Sequence, residues 1–153
     1  MSIQPIIRSV AVKAPPAQAF VLFTDHMKHW WKKGSTLGKK PHEDLVIEKK
    51  PGGRWFERDE DGTEVNWGKV LAYEPPGRLL LAMQINTKFQ YDPALITEVE
   101  ITFAPAAGGG TLVTLEHRNL ERLGTGAEPM IAALTSGWAS HFDEFGQYAA
   151  NVG

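Results

Sequence analysis

The sequence predicts an α+β fold in which one curved antiparallel sheet of about six to seven strands wraps around a long C-terminal helix. Two observations carry this prediction. The stretch from Ala127 to Ala150 repeats apolar residues every three or four positions, which places them on one face of an α-helix. Most of the preceding chain reads as short strands bounded by turn residues. A helix on the order of 35 Å long needs a broad apolar surface to lie on, and a sheet supplies one. The helical stripe consists of Met130, Leu134, Trp138, Phe142, Phe145 and Ala149.

Composition predicts a single domain spanning residues 1–153. The net charge of −2 gives no overall field that would favour nucleic acid or an anionic membrane. The sequence contains no cysteine, which excludes disulfides and thiolate chemistry. The longest apolar run, Leu79 to Met83, is far too short to insert into a membrane. Together with the lack of an apolar leader in the first ten residues, these features predict a cytoplasmic protein.

The N-terminal part of the chain is predicted to form one strand and two short helices. Ile6 to Val12 alternates in the manner of a strand and is stopped by Pro15-Pro16. Ala17 to Phe23 carries apolar residues at helical spacing. Asp25 is expected to be the N-cap of a second helical turn, which runs towards Trp30-Trp31.

The rest of the chain up to the long helix is predicted to form about six strands. Turn signals such as Pro51-Gly52-Gly53 and Asp61-Gly62 separate them, and Gly62 supplies the positive φ of a hairpin tip. Residues 32–43 and 86–95 are expected to be loops. The predicted strands are Leu45–Glu48, Arg54–Arg58, Val65–Tyr73, Arg78–Ile85, Ile96–Phe103 and Thr111–His117.

Short motifs occur along the whole chain: residues 14–20 (APPAQAF), Trp30-Trp31, residues 51–55 (PGGRW), Asp61-Gly62, residues 68–71 (GKVL) with 75–79 (PPGRL), residues 110–115 (GTLVTL) and Gly137-Trp138. In this order they resemble the START-like, or helix-grip, superfamily. Within it, the chain is most similar to proteins like the activator of the ninety-kilodalton heat-shock protein ATPase. The resemblance implies a helix-grip fold with a hydrophobic cavity between the sheet and the last helix, and it supplies no general catalytic motif.

Two histidines are candidates for polar contacts inside such a cavity. The alternation of the last predicted strand points His117 inward, where it could orient a ligand or act as a general base. The alternative is a histidine at the end of a strand that bonds a backbone group. His141 lies at the margin of the helix stripe and could face the cavity, or it could be a half-buried rim residue.

The sequence predicts no metal site and no cofactor. His26 and His29 lie one helical turn apart and His42 follows in a loop, but they form no recognised zinc-binding pattern. A polar helix face plus a loop histidine is the simpler interpretation.

The leading functional hypothesis is binding of a small hydrophobic or amphipathic ligand between the sheet and the long helix. Two alternatives stay open at this point. One is a cyclase- or dehydratase-like enzyme that uses His117 as base in the same cavity. The other is an interaction module for a chaperone-type partner, in which the exposed sheet face matters. The residues predicted to bind the ligand are Trp30, Trp31, Phe56, Met83, Phe103, Leu115, His117, Trp138, His141 and Phe142.

Overall fold

The computed structural model describes residues 3–33 and 35–152. These residues form one seven-stranded antiparallel sheet in the order β1-β7-β6-β5-β4-β3-β2, with a long C-terminal helix. This confirms the predicted helix-grip architecture. The elements, in chain order, are β1 (Ile6–Val12), α1 (Pro16–Thr24), α2 (Met27–Trp30), β2 (His42–Ile47), β3 (Arg54–Asp59), β4 (Glu64–Glu74), β5 (Arg78–Met83), β6 (Thr97–Pro105), β7 (Thr111–Arg118) and α3 (Ala127–Val152).

Several element boundaries differ from the prediction by one to three residues. Asp25 ends α1 rather than capping α2, because its backbone N–H donates to Val21 O at 2.8 Å. Strand β2 begins at His42, which pairs with Asp59 on β3 ahead of an irregularity in register. Strand β5 ends at Met83, and the next residue is held by single hydrogen bonds: the Gln84 N–H donates to Trp67 O at 2.7 Å, and Gln84 O accepts from the Asp92 N–H at 2.8 Å.

The alternation predicted for the last two strands is confirmed. Val99, Ile101 and Phe103 of β6 are buried, as are Val113, Leu115 and His117 of β7. The opposite face of these strands carries charged side chains that pair with one another. Arg118 contacts both Glu98 and Glu100, and Arg78 on β5 contacts Glu100 as well. The inner face of the sheet is therefore apolar, and the outer face carries an ion-pair network.

The C-terminal half of α3 packs tightly into the core. Phe145 is fully buried, with its ring centroid 5.3 Å from that of Phe23 and 5.2 Å from that of Trp30. Phe142 contacts Phe23 at 6.2 Å in an edge-to-face arrangement. The two short helices thus fill the space between this half of α3 and the sheet, which leaves the other half of α3 to be covered differently.

Strand β4 bends over the inner face of the sheet. Trp55 pairs with Gly68 and Phe56 pairs with Asn66, so Trp67 is an extra residue that bulges from the ladder with β3. A Cβ atom at Gly68 would lie 1.7 Å from Ala82 O, so only glycine permits this close approach of β4 and β5. The bulge directs Trp67 towards the inner face, where it contacts Trp31 and Trp55.

No helix among the described residues is long and apolar enough to cross a membrane.

We expect Phe145→Ala to lower the free energy of unfolding by about 3–5 kcal/mol, because it leaves a cavity in a densely packed aromatic cluster. Asp143→Ala, an exposed position on the same helix, should change it by less than about 0.5 kcal/mol. Urea unfolding measures both. Equal effects of the two substitutions would contradict the assigned face of α3.

Candidate functional site

A cavity of about 320 Å³ lies between the inner face of the sheet and the N-terminal half of α3. Its walls come from the end of α2, the bulge of β4, the end of β5 and residues 130–141 of α3. Ser35 and Phe89 are exposed, and Thr36 and Leu37 are half-buried, so these lining residues form the mouth of the cavity. The lining residues are Trp31, Ser35, Thr36, Leu37, Trp67, Met83, Ile85, Phe89, Met130, Ala133, Leu134, Gly137, Trp138 and His141.

Small residues on α3 keep this space open. Ala133 and Gly137 are one turn apart and both line the cavity, whereas the buried face further along the helix carries Phe142 and Phe145. A Cβ atom at Gly137 would have only His141 Nε2 within 4 Å, at 3.9 Å. At Ala133 and Gly137 the side chains of the helix are therefore too small to fill the space that larger side chains fill nearer its C-terminus.

A chain of hydrogen bonds fixes Trp138, which forms part of the cavity wall. The indole Nε1–H of Trp138 donates to His117 Nδ1 at 3.1 Å. Since an indole nitrogen can only donate, Nδ1 is an acceptor and the His117 proton resides on Nε2. Nε2 then donates to Thr97 Oγ1 at 2.8 Å, and Thr97 in turn donates to Met83 O at 3.3 Å. Both ring nitrogens of His117 are engaged, so this histidine positions Trp138 and has no free nitrogen for a ligand.

His141 presents a different environment from that of His117. Its ring stacks on Trp31, with centroids 3.6 Å apart and planes 18° apart. Only 8% of the residue is exposed, and its Nδ1 is buried without a hydrogen-bond partner among the described residues. A buried polar atom without a partner is rare in proteins and costs about 1–3 kcal/mol. Nδ1 is thus closed off from the cavity, whereas Nε2 lies 3.9 Å from a Cβ atom placed at the lining residue Gly137, so Nε2 is the ring nitrogen that a ligand could reach.

Burial keeps both histidines neutral at pH 7. It lowers the pKa of His117 from 6.5 to about 4. It also lowers the pKa of His141 to about 4, with a smaller contribution from the positive charge of Lys32. A neutral imidazole has one N–H donor and one acceptor nitrogen. His141 can therefore donate to a carbonyl oxygen or accept from a hydroxyl group, depending on its tautomer.

The structure brings four of the ten residues predicted to bind ligand into the cavity wall: Trp31, Met83, Trp138 and His141. Among the described residues, the other six lie outside this wall. Trp30 is buried in the core, where its Nε1–H donates to Leu22 O at 3.0 Å. Phe103 and Phe142 pack against aromatic rings of α1. Leu115 is fully buried on the inner face of β7, and His117 lies behind Trp138.

Phe56 lies on the outer face of the sheet, which explains its distance from the cavity. The guanidinium carbon of Arg54 lies 3.9 Å from its ring centroid, and that of Arg58 lies 5.4 Å away. These three residues alternate along β3 with Trp55 and Glu57, which therefore face inward.

Several lining residues were not among the predicted ligand contacts. Met130 and Leu134 belong to the apolar stripe that the helical period identifies, so their position could have been inferred. Trp67 reaches the cavity through the bulge in β4, and a bulge leaves no periodic signal. Leu37 and Phe89 belong to loops, whose course the sequence does not specify.

The histidines considered for a metal site have other contacts. His26 Nδ1 lies 2.7 Å from the hydroxyl of Tyr148, and the ring of His29 stacks on Tyr148 at 5.8 Å. His42 is buried elsewhere, with its Nε2 3.2 Å from Lys28 O. Within residues 3–33 and 35–152, no group of three or more metal-ligating side chains occurs.

Comparison with known proteins identifies relatives of the whole chain. A family model described as Activator of Hsp90 ATPase homolog 1-like protein matches residues 13–150. A search of the curated proteins finds no significant match.

Solved structures include two relatives of informative identity. One is described as an anthrahydroquino-gamma-pyrone synthase, Txn09, complexed with SUM; it is 35% identical, with a TM-score of 0.67 over 95% of this chain and 97% of the other. The second is CalC from Micromonospora echinospora, described as a self-sacrificing resistance protein. It is 27% identical, with a TM-score of 0.73 over 95% of this chain and 94% of the other.

A protein from Rhodobacter sphaeroides shares the fold at 19% identity, with a TM-score of 0.68 over 98% of this chain and 94% of the other.

The neutral state of His141 predicts a pH dependence of stability. In the unfolded chain its imidazole binds a proton below about pH 6.5, whereas in the folded protein it does so only below about pH 4. Between these values the unfolded state binds more protons, so the free energy of unfolding falls as the pH is lowered from 6.5 to 4. We expect His141→Phe, which keeps an aromatic ring on Trp31, to reduce this fall by on the order of 2–3 kcal/mol.

Urea unfolding of the wild type and the variant at a series of pH values measures the effect. Identical pH dependence in the two proteins would contradict a buried, neutral His141.

Proposed function

The chain belongs to the Activator of Hsp90 ATPase homolog 1-like family, and from this premise we propose that its cavity binds a small, uncharged and largely apolar ligand. The observation that carries the proposal is the neutral imidazole of His141, which lies in the wall of a largely apolar cavity. Its Nε2 lies 3.9 Å from a Cβ atom placed at Gly137, which also lines the cavity, so a ligand oxygen in this space could exchange a hydrogen bond with that nitrogen.

The size and lining of the cavity support this ligand class. A volume of about 320 Å³ lies at the lower end of the range of small-molecule sites. Trp31, Trp67 and Trp138 supply large apolar surfaces, and aromatic rings bind other rings by edge-to-face or offset-stacked contact. Among the described residues, no charged side chain lines the cavity. An ionised ligand would lose its hydration there without gaining a charged partner, which favours an uncharged one.

A variant that fills the cavity without harming the helix tests this proposal. Gly137→Leu adds a branched side chain into the open space beside His141, and it replaces glycine within a helix by a better helix former. We expect the affinity for the uncharged fluorescent probe N-phenyl-1-naphthylamine to fall at least about tenfold, with no loss in the free energy of unfolding. Fluorescence titration and urea unfolding measure the two quantities.

Ala132→Leu is the matched control, because Ala132 is exposed on the same helix. It should leave the affinity for the probe unchanged. Unaltered probe affinity in a folded Gly137→Leu variant would overturn the cavity as the binding site.

A second candidate function is ring closure of a hydroxylated aromatic substrate in the same cavity. It is favoured by the 35% identity to a protein described as a pyrone synthase. His141 would accept a hydrogen bond from the substrate hydroxyl and hold its oxygen in place for attack on a carbonyl carbon. His117, whose two ring nitrogens are engaged, would take no part.

For this candidate we expect the protein to accelerate conversion of 1-(2-hydroxyphenyl)butane-1,3-dione to 2-methylchromone. The phenol oxygen bonds to the distal carbonyl carbon, and water is lost. His141→Phe should slow the reaction by about tenfold or more, since the hydrogen bond to the attacking oxygen is gone. Absorbance of the chromone reports the rate. A rate equal to that of buffer alone, with a protein that binds the naphthylamine probe, would leave binding as the function and exclude this reaction.

A further inference from the structure

Glu57 is a buried carboxylate next to the cavity that the functions above do not use. It lies on β3 and is 1% exposed. Within the part of the chain that the structure describes, no Lys, Arg or His lies within 4.0 Å of its oxygens. A carboxylate buried without a cation is unfavourable unless hydrogen-bond donors replace its lost water.

Three N–H groups fill this role. Oε1 accepts from the backbone N–H of Leu37 and from the indole Nε1–H of Trp67, both at 2.7 Å. Oε2 accepts from the backbone N–H of Gly38 at 3.1 Å. All three partners are N–H donors, which suits the acceptor oxygens of a carboxylate.

The donors come from two separate parts of the cavity. Leu37 belongs to the mouth segment, defined here as residues 35–38, and Trp67 lies in the wall formed by β4. The mouth segment contains no helix or strand hydrogen bonds of its own. Besides the bonds to Glu57, it is held by Trp31, whose Nε1–H donates to Ser35 O at 2.8 Å. Glu57 therefore joins the mouth segment to the wall at Trp67, and Trp31 joins it to the wall at a second point.

Gly38 has a geometry that suits this contact. A Cβ atom at this position would lie 2.7 Å from Glu57 Oε2, closer than a side chain can approach. Glycine thus allows the backbone N–H to reach the carboxylate, and any larger residue would push the two apart.

We propose that Glu57 is a positioning residue that holds the mouth segment over the cavity and sets the rate at which a ligand enters and leaves. This inference rests on the proposed binding function. If the three hydrogen bonds of Glu57 only offset the cost of burying its carboxylate, losing them would change the stability alone. If they hold the mouth segment over the cavity, losing them would also change the rate at which the ligand exchanges.

Stopped-flow fluorescence with N-phenyl-1-naphthylamine tests the proposal. Glu57→Gln keeps the shape of the side chain but turns an NH₂ group towards one of the three donors. Gly38→Ala disturbs the same contact from the mouth segment and leaves the carboxylate intact. We expect both to raise the dissociation rate of the probe at least about tenfold. Glu116→Gln, on the outer face of the sheet, is the matched control and should retain the wild-type rate.

Hydrogen exchange of the unmodified protein gives a readout that needs neither a ligand nor a stable variant. The amides of Leu37 and Gly38 should exchange far more slowly than their sequence alone would dictate, although they lie in an irregular segment. In Glu57→Gln they should exchange at least about tenfold faster, while the amide of Ile101 in the sheet stays unchanged.

The outcomes separate the two proposals. Failure of the probe to bind the wild type would overturn the binding function, and hydrogen exchange would still report whether Glu57 holds the mouth. Binding with dissociation rates within about twofold of wild type in both variants would overturn the role of Glu57. Unprotected Leu37 and Gly38 amides in the wild type would overturn it as well.

Discussion

The contact between α3 and the inner face of the sheet determines the rest of the structure. Along its C-terminal half, Phe142, Phe145 and Ala149 are packed against the sheet and the short helices. Along its N-terminal half, Ala133 and Gly137 leave a gap where the same helix crosses the bent strand β4. The helix is thus packed throughout its C-terminal half, whereas its N-terminal half is packed at Met130 and Trp138 and borders a cavity between them. The hydrophobic burial that holds the fold and the cavity that serves its function are two parts of one interface.

Buried polar groups position the walls of this cavity. Trp138 donates to His117, and His117 is oriented in turn by Thr97. Trp67 and the mouth segment are both held by Glu57. Each of these groups has hydrogen-bond partners within the protein, as buried polar groups require. The imidazole of His141 lies in the same wall, and its Nε2, beside Gly137, is the nitrogen that a ligand in the cavity could bond.

The sequence predicts the fold well because its signals are periodic. Alternation in the last two strands correctly points Val99 and Leu115 inward, and the helical period identifies the buried face of α3. The residues of the cavity wall are harder to predict from the sequence. An inward-facing residue lines the cavity only if no other side chain fills the space beside it, and that depends on the tertiary packing. Phe103 and Leu115 face inward as predicted, but the space beside Phe103 is filled by rings from α1. Trp67 enters the wall because of the bulge in β4, which has no periodic signal. Glu57 belongs to an acidic stretch of the sequence, residues 57–64, so its burial could not be predicted.

The most direct test of this account is a crystal structure of the protein grown with N-phenyl-1-naphthylamine. The account predicts the probe between α3 and the sheet, in contact with Trp31 and Trp138, with its amine within hydrogen-bond distance of a ring nitrogen of His141. A probe bound elsewhere, with this space closed by movement of α3 onto the sheet, would contradict it.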